Sequence, residues 1–163
     1  VIEGCRIRKF EPGDLSTLQA IRQAAFKPVF QSFRNIVGEK IAAIAFASAE
    51  REQAELLARV CKERSHDVFV VERGSDIVAF CLMSLNQDSK VGEIELNAVH
   101  PDFQGKGIGT LMYEFALDRM RDTGMRVVTV GTGGDPSHAA ARRALEKSGF
   151  GPGIPGVYLY RSL

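Results

Sequence analysis

Three alternating glycines, Gly105, Gly107 and Gly109, stand where a strand-like run, EIELNAV (residues 93–99), gives way to a helix-like run, LMYEFALDRM (111–120). A strand that turns into a helix through glycines belongs to a sheet with helices packed on it, so the chain is expected to be α/β. The same junction creates a candidate site. The first amide N–H groups of a helix have no partner inside it, and the helix dipole adds partial positive charge there. Glycines let the backbone curl and let a ligand approach it closely, while Gln104 and Lys106 add donors and a charge at the rim. Such a loop either holds an anion, phosphate above all, or is only a turn that needs positive φ.

Spacing removes two phosphate loops from consideration. A Walker A loop needs GxxxxGK followed by Ser or Thr, and no lysine here stands in that context. A dinucleotide fingerprint starting at Gly105 and Gly107 needs a third glycine at position 110, which is Thr110.

The flanking elements follow from periodicity. CRIRKF, residues 5–10, reads as a first strand, broken by Pro12 and Gly13. Asp14 caps a helix with Leu15, Leu18, Ile21 and Ala25 on one face. That helix is expected to end near Lys27-Pro28, because the residue before a proline is pushed out of the α region. Residues 29–37 then read as an irregular aromatic segment, and residues 39–64 as one broken helix or two short ones. HDVFVVE and IVAFCLMSL around RGSD form a hairpin, followed by a strand at about 91–99, the glycine loop and a helix at about 107–123. RVVTVG, 126–131, has the β-branched character of a strand buried on both faces. Asp135-Pro136 opens a helix that Gly149 closes, and Gly156–Tyr160 reads as a last strand.

At 163 residues the chain is expected to be a single domain, residues 1–163. A formal charge of +1 supplies no broad field for nucleic acid or an anionic membrane, and no apolar run approaches the roughly 20 residues that span a bilayer. Cys5, Cys61 and Cys81 are too few and too scattered for a disulfide framework or a thiolate zinc site, and His66, His100 and His138 have no metal-like spacing, so no metal is expected. The first residues mix charge in and lack an apolar secretory segment, and a cytoplasmic setting is the expectation.

What the loop does match is Gln104-x-x-Gly107-x-Gly109, after a strand ending Val99-His100-Pro101. This resembles motif A of the GCN5-related N-acetyltransferase (GNAT) family, and ALEKSGF, residues 144–150, resembles the end of its motif B helix. The two matches keep the family's order and spacing over about half the chain. The resemblance implies a single-domain GNAT-like fold, with a central mixed, mostly antiparallel twisted sheet flanked by helices. It also implies a splay between the strands at about 91–99 and 126–131. The implied function is acetyl-CoA-dependent N-acetylation of a primary amine by direct attack in a ternary complex. Alternatives are a catalytically silent acyl-CoA-binding module and a transferase for a longer acyl chain.

On that resemblance, Gln104, Gly105, Lys106, Gly107, Ile108, Gly109 and Thr110 wrap the pyrophosphate. The backbone of Asn97, Ala98 and Val99 pairs with the pantetheine arm, and an N–H near Asn97 or Ala98 polarises the thioester carbonyl. Glu93 and Glu95, placed by strand alternation on the same face as Asn97, are candidate bases for an acceptor that is mostly ammonium near neutral pH. His138 falls where the family often has an asparagine touching the pantetheine or the acceptor end, and it could bind cofactor, shuttle a proton or do neither. Leu145 falls where many members carry a tyrosine that protonates the departing thiolate, which is this sequence's main departure. Phe30, Phe33 and Arg34 border the acceptor by position, or simply pack a helical turn. The acceptor is not identified, and a homodimer, common in the family, stays open.

Overall fold

The computed structural model describes Ile2 and residues 4–163. The elements run β1 (Cys5–Lys9), α1 (Leu15–Val37), α2 (Glu39–Ala45), α3 (Ala49–Glu63), β2 (Val68–Arg73), β3 (Asp76–Asn86), β4 (Val91–Val99), α4 (Ile108–Asp122), β5 (Val127–Val130) and α5 (Ala139–Lys147). The five strands lie in the order of the chain. The pairs β1/β2, β2/β3 and β3/β4 are antiparallel, and β4/β5 is parallel. The mixed, mostly antiparallel sheet expected from the sequence is therefore present.

Each face of the sheet buries its own apolar cluster. On one face Val68, Val70, Phe80, Leu82 and Ala98 meet Leu18 and Ile21 of α1 and Leu57, Val60 and Cys61 of α3. On the other, Val71, Cys81, Met83 and Ile94 meet Ile108, Met112, Ala116 and Met120 of α4 and Leu145 of α5. Strand alternation explains the division, since successive residues point to opposite faces. All three cysteines are free thiols. Burial pushes the Cys61 thiol, aided by the nearby Asp14 charge, up to about 11.

The strand expected to be buried on both faces, β5, is instead an edge strand with Val127 57% exposed, and two expectations of element bounds also fail. The first helix does not stop at Pro28 but continues to Val37, so residues 29–37 are helical rather than irregular. Proline inside a helix leaves the carbonyl four residues back without a donor. Here Pro28 is exposed, and that carbonyl, on Ala24 one turn back, belongs to a half-buried residue that water can reach. Val29 is buried, and the ring of Phe33 packs on that of Phe46 at 5.8 Å between centroids, holding the second half of the helix to α2. The second failure is the last strand. Residues 156–160 form no strand, and Val157, Tyr158 and Leu159 are exposed; only the Tyr160 ring finds a neighbour, edge-on to Phe46 at 5.6 Å. Alternating β-formers report propensity, but a strand also needs a free edge in register, and this segment pairs with none of the five strands.

The other boundaries agree closely with the sequence. Residues 39–64 resolve into two helices, and β4 occupies 91–99 as expected. Gly149, at φ +83°, ends α5 with its N–H on Glu146 O and the Phe150 N–H on Leu145 O. No helix among the described residues is long and apolar enough to cross a membrane.

Candidate active site

The site begins with an irregularity in β4. Cys81 pairs with Asn97 and Met83 with Ile94, so Glu95 and Leu96 together oppose the single residue Leu82. This β-bulge reverses the alternation. Ile94 joins the α4 cluster, whereas Leu96 and Ala98 pack with the α1/α3 cluster, although strict alternation would put all three on one face. Asn97 therefore does not share a face with Glu95, as alternation alone implied. Its side chain meets α4 instead, where the Tyr113 hydroxyl donates to Asn97 Oδ1 at 2.9 Å, and Asn97 Nδ2 donates to Glu95 O at 2.8 Å.

The bulge also parts the sheet. β5 pairs with β4 only from Val91/Val127 to Ile94/Val130, one residue before the bulge. Beyond that point the two strands diverge, leaving the β5-facing backbone of residues 95–99 unpaired within the sheet. This is the splay expected between these strands. A cleft of about 770 Å³ opens there, lined by residues 93–99, the loop 103–110, Val130–Thr132, the start of α5 and the inner faces of α1 and α3.

The glycine loop closes one end of the cleft. Gly105 and Gly107 sit at φ +73° and +81°, conformations that favour glycine, and Gly107 caps α4 from the left-handed region. Gly109 lies in the first turn of α4, where a Cβ would sit 3.6 Å from that of Ala144 on α5. Among the described residues, no backbone acceptor meets the N–H groups from Gly105 to Thr110; the first helical bond is Leu111 N–H to Gly107 O at 3.0 Å. Six unpaired amides at the head of a 15-residue helix make an anion cradle. Gln104 Nε2 donates to Val99 O at 3.0 Å, tying the loop to the end of β4. Lys106 Nζ donates to Asp102 O at 2.7 Å and lies 5.1 Å from the centroid of Phe103, so its charge stays at the rim.

At the opposite end are the two β4 carboxylates. Glu93 is exposed and Glu95 half-buried, and both also line a second cavity of about 530 Å³ beside α3. Arg64 Nη2, at the end of α3, donates to both Glu95 oxygens at 3.1 and 2.8 Å, and its Nη1 donates to Met83 O at 3.2 Å. The cleft thus has one carboxylate committed to an ion pair and one that faces solvent.

The third wall is the start of α5. Asp135 caps the 3-10 turn Pro136–His138 that leads into it, its Oδ2 accepting from the Ser137 N–H at 3.2 Å, from the Ser137 hydroxyl, and from the Ser32 hydroxyl of α1 at 2.7 Å. Its Oδ1 meets His138 Nδ1 at 2.6 Å. Burial alone would raise the Asp135 carboxyl, but the hydrogen bonds from Ser137, Ser32 and His138, with the His138 charge, hold it well below the usual carboxylate range. His138 stacks on Phe33, their centroids 6.1 Å apart and planes 23° from parallel. Leu145, two turns further on, is 5% exposed and joins the α4 cluster. Tyr113 is 4% exposed, and burial, then the neighbouring Cys81, pushes its phenol well above the ordinary value.

Of the residues singled out in the sequence, Glu93, Glu95, Asn97, Ala98, Val99, His138, Leu145 and the loop 104–110 line this cleft, except Lys106, which stands at its rim; Phe30, Phe33 and Arg34 do not line it, Phe33 stacking on His138 and Arg34 pairing with Glu39. Tyr113, Arg64, Ser32 and Asp135 enter the site without having been assigned to it. Tyr113 carried a signal, being one of three tyrosines and lying less than one turn beyond Thr110 along α4; Ser32 and Arg64 carried none.

The model of the acetyltransferase (GNAT) family matches residues 31–150. The chain belongs to that family. It is 34% identical over 117 residues to the mycothiol acetyltransferase of Sanguibacter keddieii, a match covering 65% of this chain and 36% of the relative. The chain thus spans about a third of the length of that curated relative. GNAT architecture also appears in the solved structures it resembles. Ard1 from Thermoplasma volcanium superposes with a TM-score of 0.69 at 20% identity, covering 93% of this chain and 85% of that one. A GNAT family acetyltransferase from Brucella melitensis, solved in complex with acetyl-CoA, gives 0.60 at 21% identity, covering 97% and 96%.

Proposed function

We propose that this GNAT domain is an acetyl-CoA-dependent N-acetyltransferase acting on a primary amine by direct attack within a ternary complex. The observation that carries the reading is the continuity of one cleft, from six unpaired amides at the head of α4, past the unpaired edge of β4, to the carboxylates Glu93 and Glu95. A diphosphate fits the amide cradle, because each unpaired N–H can donate to a phosphoryl oxygen and the dipole of α4 favours negative charge. An extended amide-bearing arm fits beside residues 97–99, as a strand would. The complex of the Brucella relative with acetyl-CoA supports the choice of ligand.

The acceptor enters from the α1/α3 side on this reading. Glu93 attracts the ammonium form and takes its first proton, directly or through water, which gives a neutral nucleophile. Glu95, fixed by Arg64, supplies a second negative charge at the same mouth. A backbone N–H near Asn97 or Ala98 supports the negative charge that develops on the thioester oxygen. Asn97 is held for this role by Tyr113, and Gln104 fixes the end of the strand.

The test is thiol release from acetyl-CoA against tyramine, spermidine, kanamycin and an alanine-terminated peptide, with the no-acceptor rate subtracted. The reading expects amine-dependent release with at least one probe and initial-rate lines that intersect when both substrates are varied. Parallel lines would refute direct attack. A second reading, a silent acyl-CoA-binding module, is favoured by Leu145, which leaves no hydroxyl at that point of the cleft wall; it expects acetyl-CoA binding with no release for any amine.

A further inference from the structure

The step left unassigned is the fate of the second amine proton. Once the nitrogen lone pair has formed a C–N bond to the thioester carbonyl carbon, that nitrogen is positively charged and must lose a proton, while the sulfur leaving with the C–S electron pair must gain one. A group that moves this proton needs to accept and release it near neutral pH and to border the cleft. Glu95 is engaged by Arg64 through both oxygens. Tyr113 donates to Asn97 from a buried position. The guanidinium of Arg143 has donors but no acceptor, and the Leu145 side chain has neither. Imidazole is the side chain that does both, and His138 lines the cleft.

Its setting is that of a backed imidazole. Asp135 Oδ1 lies 2.6 Å from Nδ1, fixing the proton on that nitrogen and leaving Nε2 as the free acceptor; among the described residues Nε2 has no hydrogen-bond partner. Four donors, the Ser32 hydroxyl, the Ser137 amide and hydroxyl, and the His138 ring, fix the Asp135 carboxylate. The backbone of Gly133 packs directly on the pair: a Cβ there would come within 2.6 Å of Asp135 Oδ1 and closer still to His138 Nδ1. A helix cap alone requires the Ser137 amide contact, but not Ser32 reaching across from α1 to the same oxygen.

We propose that His138 is a catalytic residue that takes the proton released from the acceptor nitrogen on Nε2 and returns it to the departing thiolate, with Asp135 and Ser32 as its positioning residues. The inference rests on the acetyl-transfer reading above. Glu93 and water remove the first proton from the ammonium; the amine adds to the carbonyl carbon; the nitrogen proton passes to Nε2; the C–S bond breaks; and the imidazolium proton passes to sulfur, leaving an amide, a thiol and neutral His138. The charged groups around the ring are Asp135 on its own turn and Arg142, whose guanidinium donates to Gly133 O and to Asp135 O at 2.8 Å. α1 presents the neutral Ser32 and Phe33, and Glu93 and Glu95 of β4 line the same cleft.

The experiment uses whichever of the four amines is turned over, and measures kcat against pH, the acetyl-CoA Kd by calorimetry and the melting temperature. His138→Gln is expected to lower kcat by roughly 100-fold, the low end for a general acid–base group, with the acetyl-CoA Kd changed by no more than about 2-fold. In His138→Ala, added imidazole restores part of the rate. Asp135→Asn, which removes the anion that favours imidazolium, moves the acid limb of the kcat profile to lower pH. Gly133→Ala displaces the pair without touching its chemistry, and lowers kcat with the Kd retained. Failure of the intact protein to acetylate any probe overturns the acetyl-transfer reading and this inference with it. Turnover with an unchanged pH profile in His138→Gln, or a Kd loss matching the kcat loss, overturns this inference alone.

Discussion

Gly107 offers a test in which backbone and charge can be separated. Its φ of +81° and ψ of −3° place it in the left-handed region, and a Cβ there would lie 3.2 Å from Ile2 Cδ1. The side-chain end of Ile2 can yield, so the main cost of Gly107→Ala is conformational, roughly 1–2 kcal/mol. For a domain of this size that lowers the melting temperature by roughly 2–8 °C. The amides survive, and acetyl-CoA binding should weaken only slightly. Gly107→Glu carries the same backbone cost and adds a carboxylate beside the cradle. At about 6 Å from a phosphoryl charge, with an effective dielectric near 20, the repulsion is about 3 kcal/mol. That corresponds to a loss of affinity on the order of 100-fold. Calorimetric titration at low ionic strength reads the difference between the variants directly, and salt should shrink it because the loop is exposed. If Gly107→Ala and Gly107→Glu melt alike and also bind acetyl-CoA alike, the anion does not lie in this loop and the cradle argument is wrong.

The two β4 carboxylates should respond differently to neutralisation. Glu93→Gln is expected to slow turnover with little change in melting temperature, whereas Glu95→Gln loses the Arg64 pair, worth about 1 kcal/mol at this exposure, and melts roughly 2–4 °C lower; equal melting points would count against the assignment of partners. Leu145→Ala should cost about 2–4 kcal/mol in urea unfolding, as for other buried leucines, and a value below about 1 kcal/mol would mean that α5 is not packed as described. Acid should act through Asp14, whose carboxyl the Arg8 hydrogen bond holds below its ordinary value despite partial burial. A depressed folded-state value means that the unfolded chain binds the proton more readily, so this stabilisation is complete above about pH 4 and lost as pH falls through the lower folded value. Arg8→Gln should therefore lose less stability than the parent between pH 6 and pH 3, and parallel losses would refute the linkage.

What the sequence displayed was whatever is encoded within a few residues. The loop was legible because Gly105 and Gly107 mark positive φ directly, and the capped turn that leads into α5 because Asp135-Pro136 is a local signal. Pro28 misled because the rule against helical proline takes no account of exposure, and an exposed ring leaves its orphaned carbonyl to water. GVYLY misled because alternation does not say which edge is free. The contacts that complete the site were hidden for a different reason. Arg64 meets Glu95 across 31 residues, and Ser32 meets Asp135 across 103, so each pairing exists only after the sheet has brought α3 and α1 over β4.

The bulge is the point at which these long-range contacts become a site. A regular β4 would point residues 93, 95 and 97 to one face and keep its hydrogen bonds to β5 as far as the register ran. The extra residue between Ile94 and Asn97 leaves Glu93 and Glu95 toward α3 while turning Asn97 to Tyr113 on α4. It also falls immediately after the last β4/β5 pair, so the strand edge is freed where the two faces exchange side chains. A ligand held by the α4 amides can then run along that edge and meet a second ligand held among α1, α3 and the carboxylates. α1 reaches this junction only because it continues through Pro28, since Ser32 and Phe33 lie in the half of the helix beyond it. The helix that packs on the α3 side of the sheet therefore also fixes Asp135 through Ser32 and stacks on His138 through Phe33, so on the proposed reading the proton-moving group is held by the same helix that would border the acceptor.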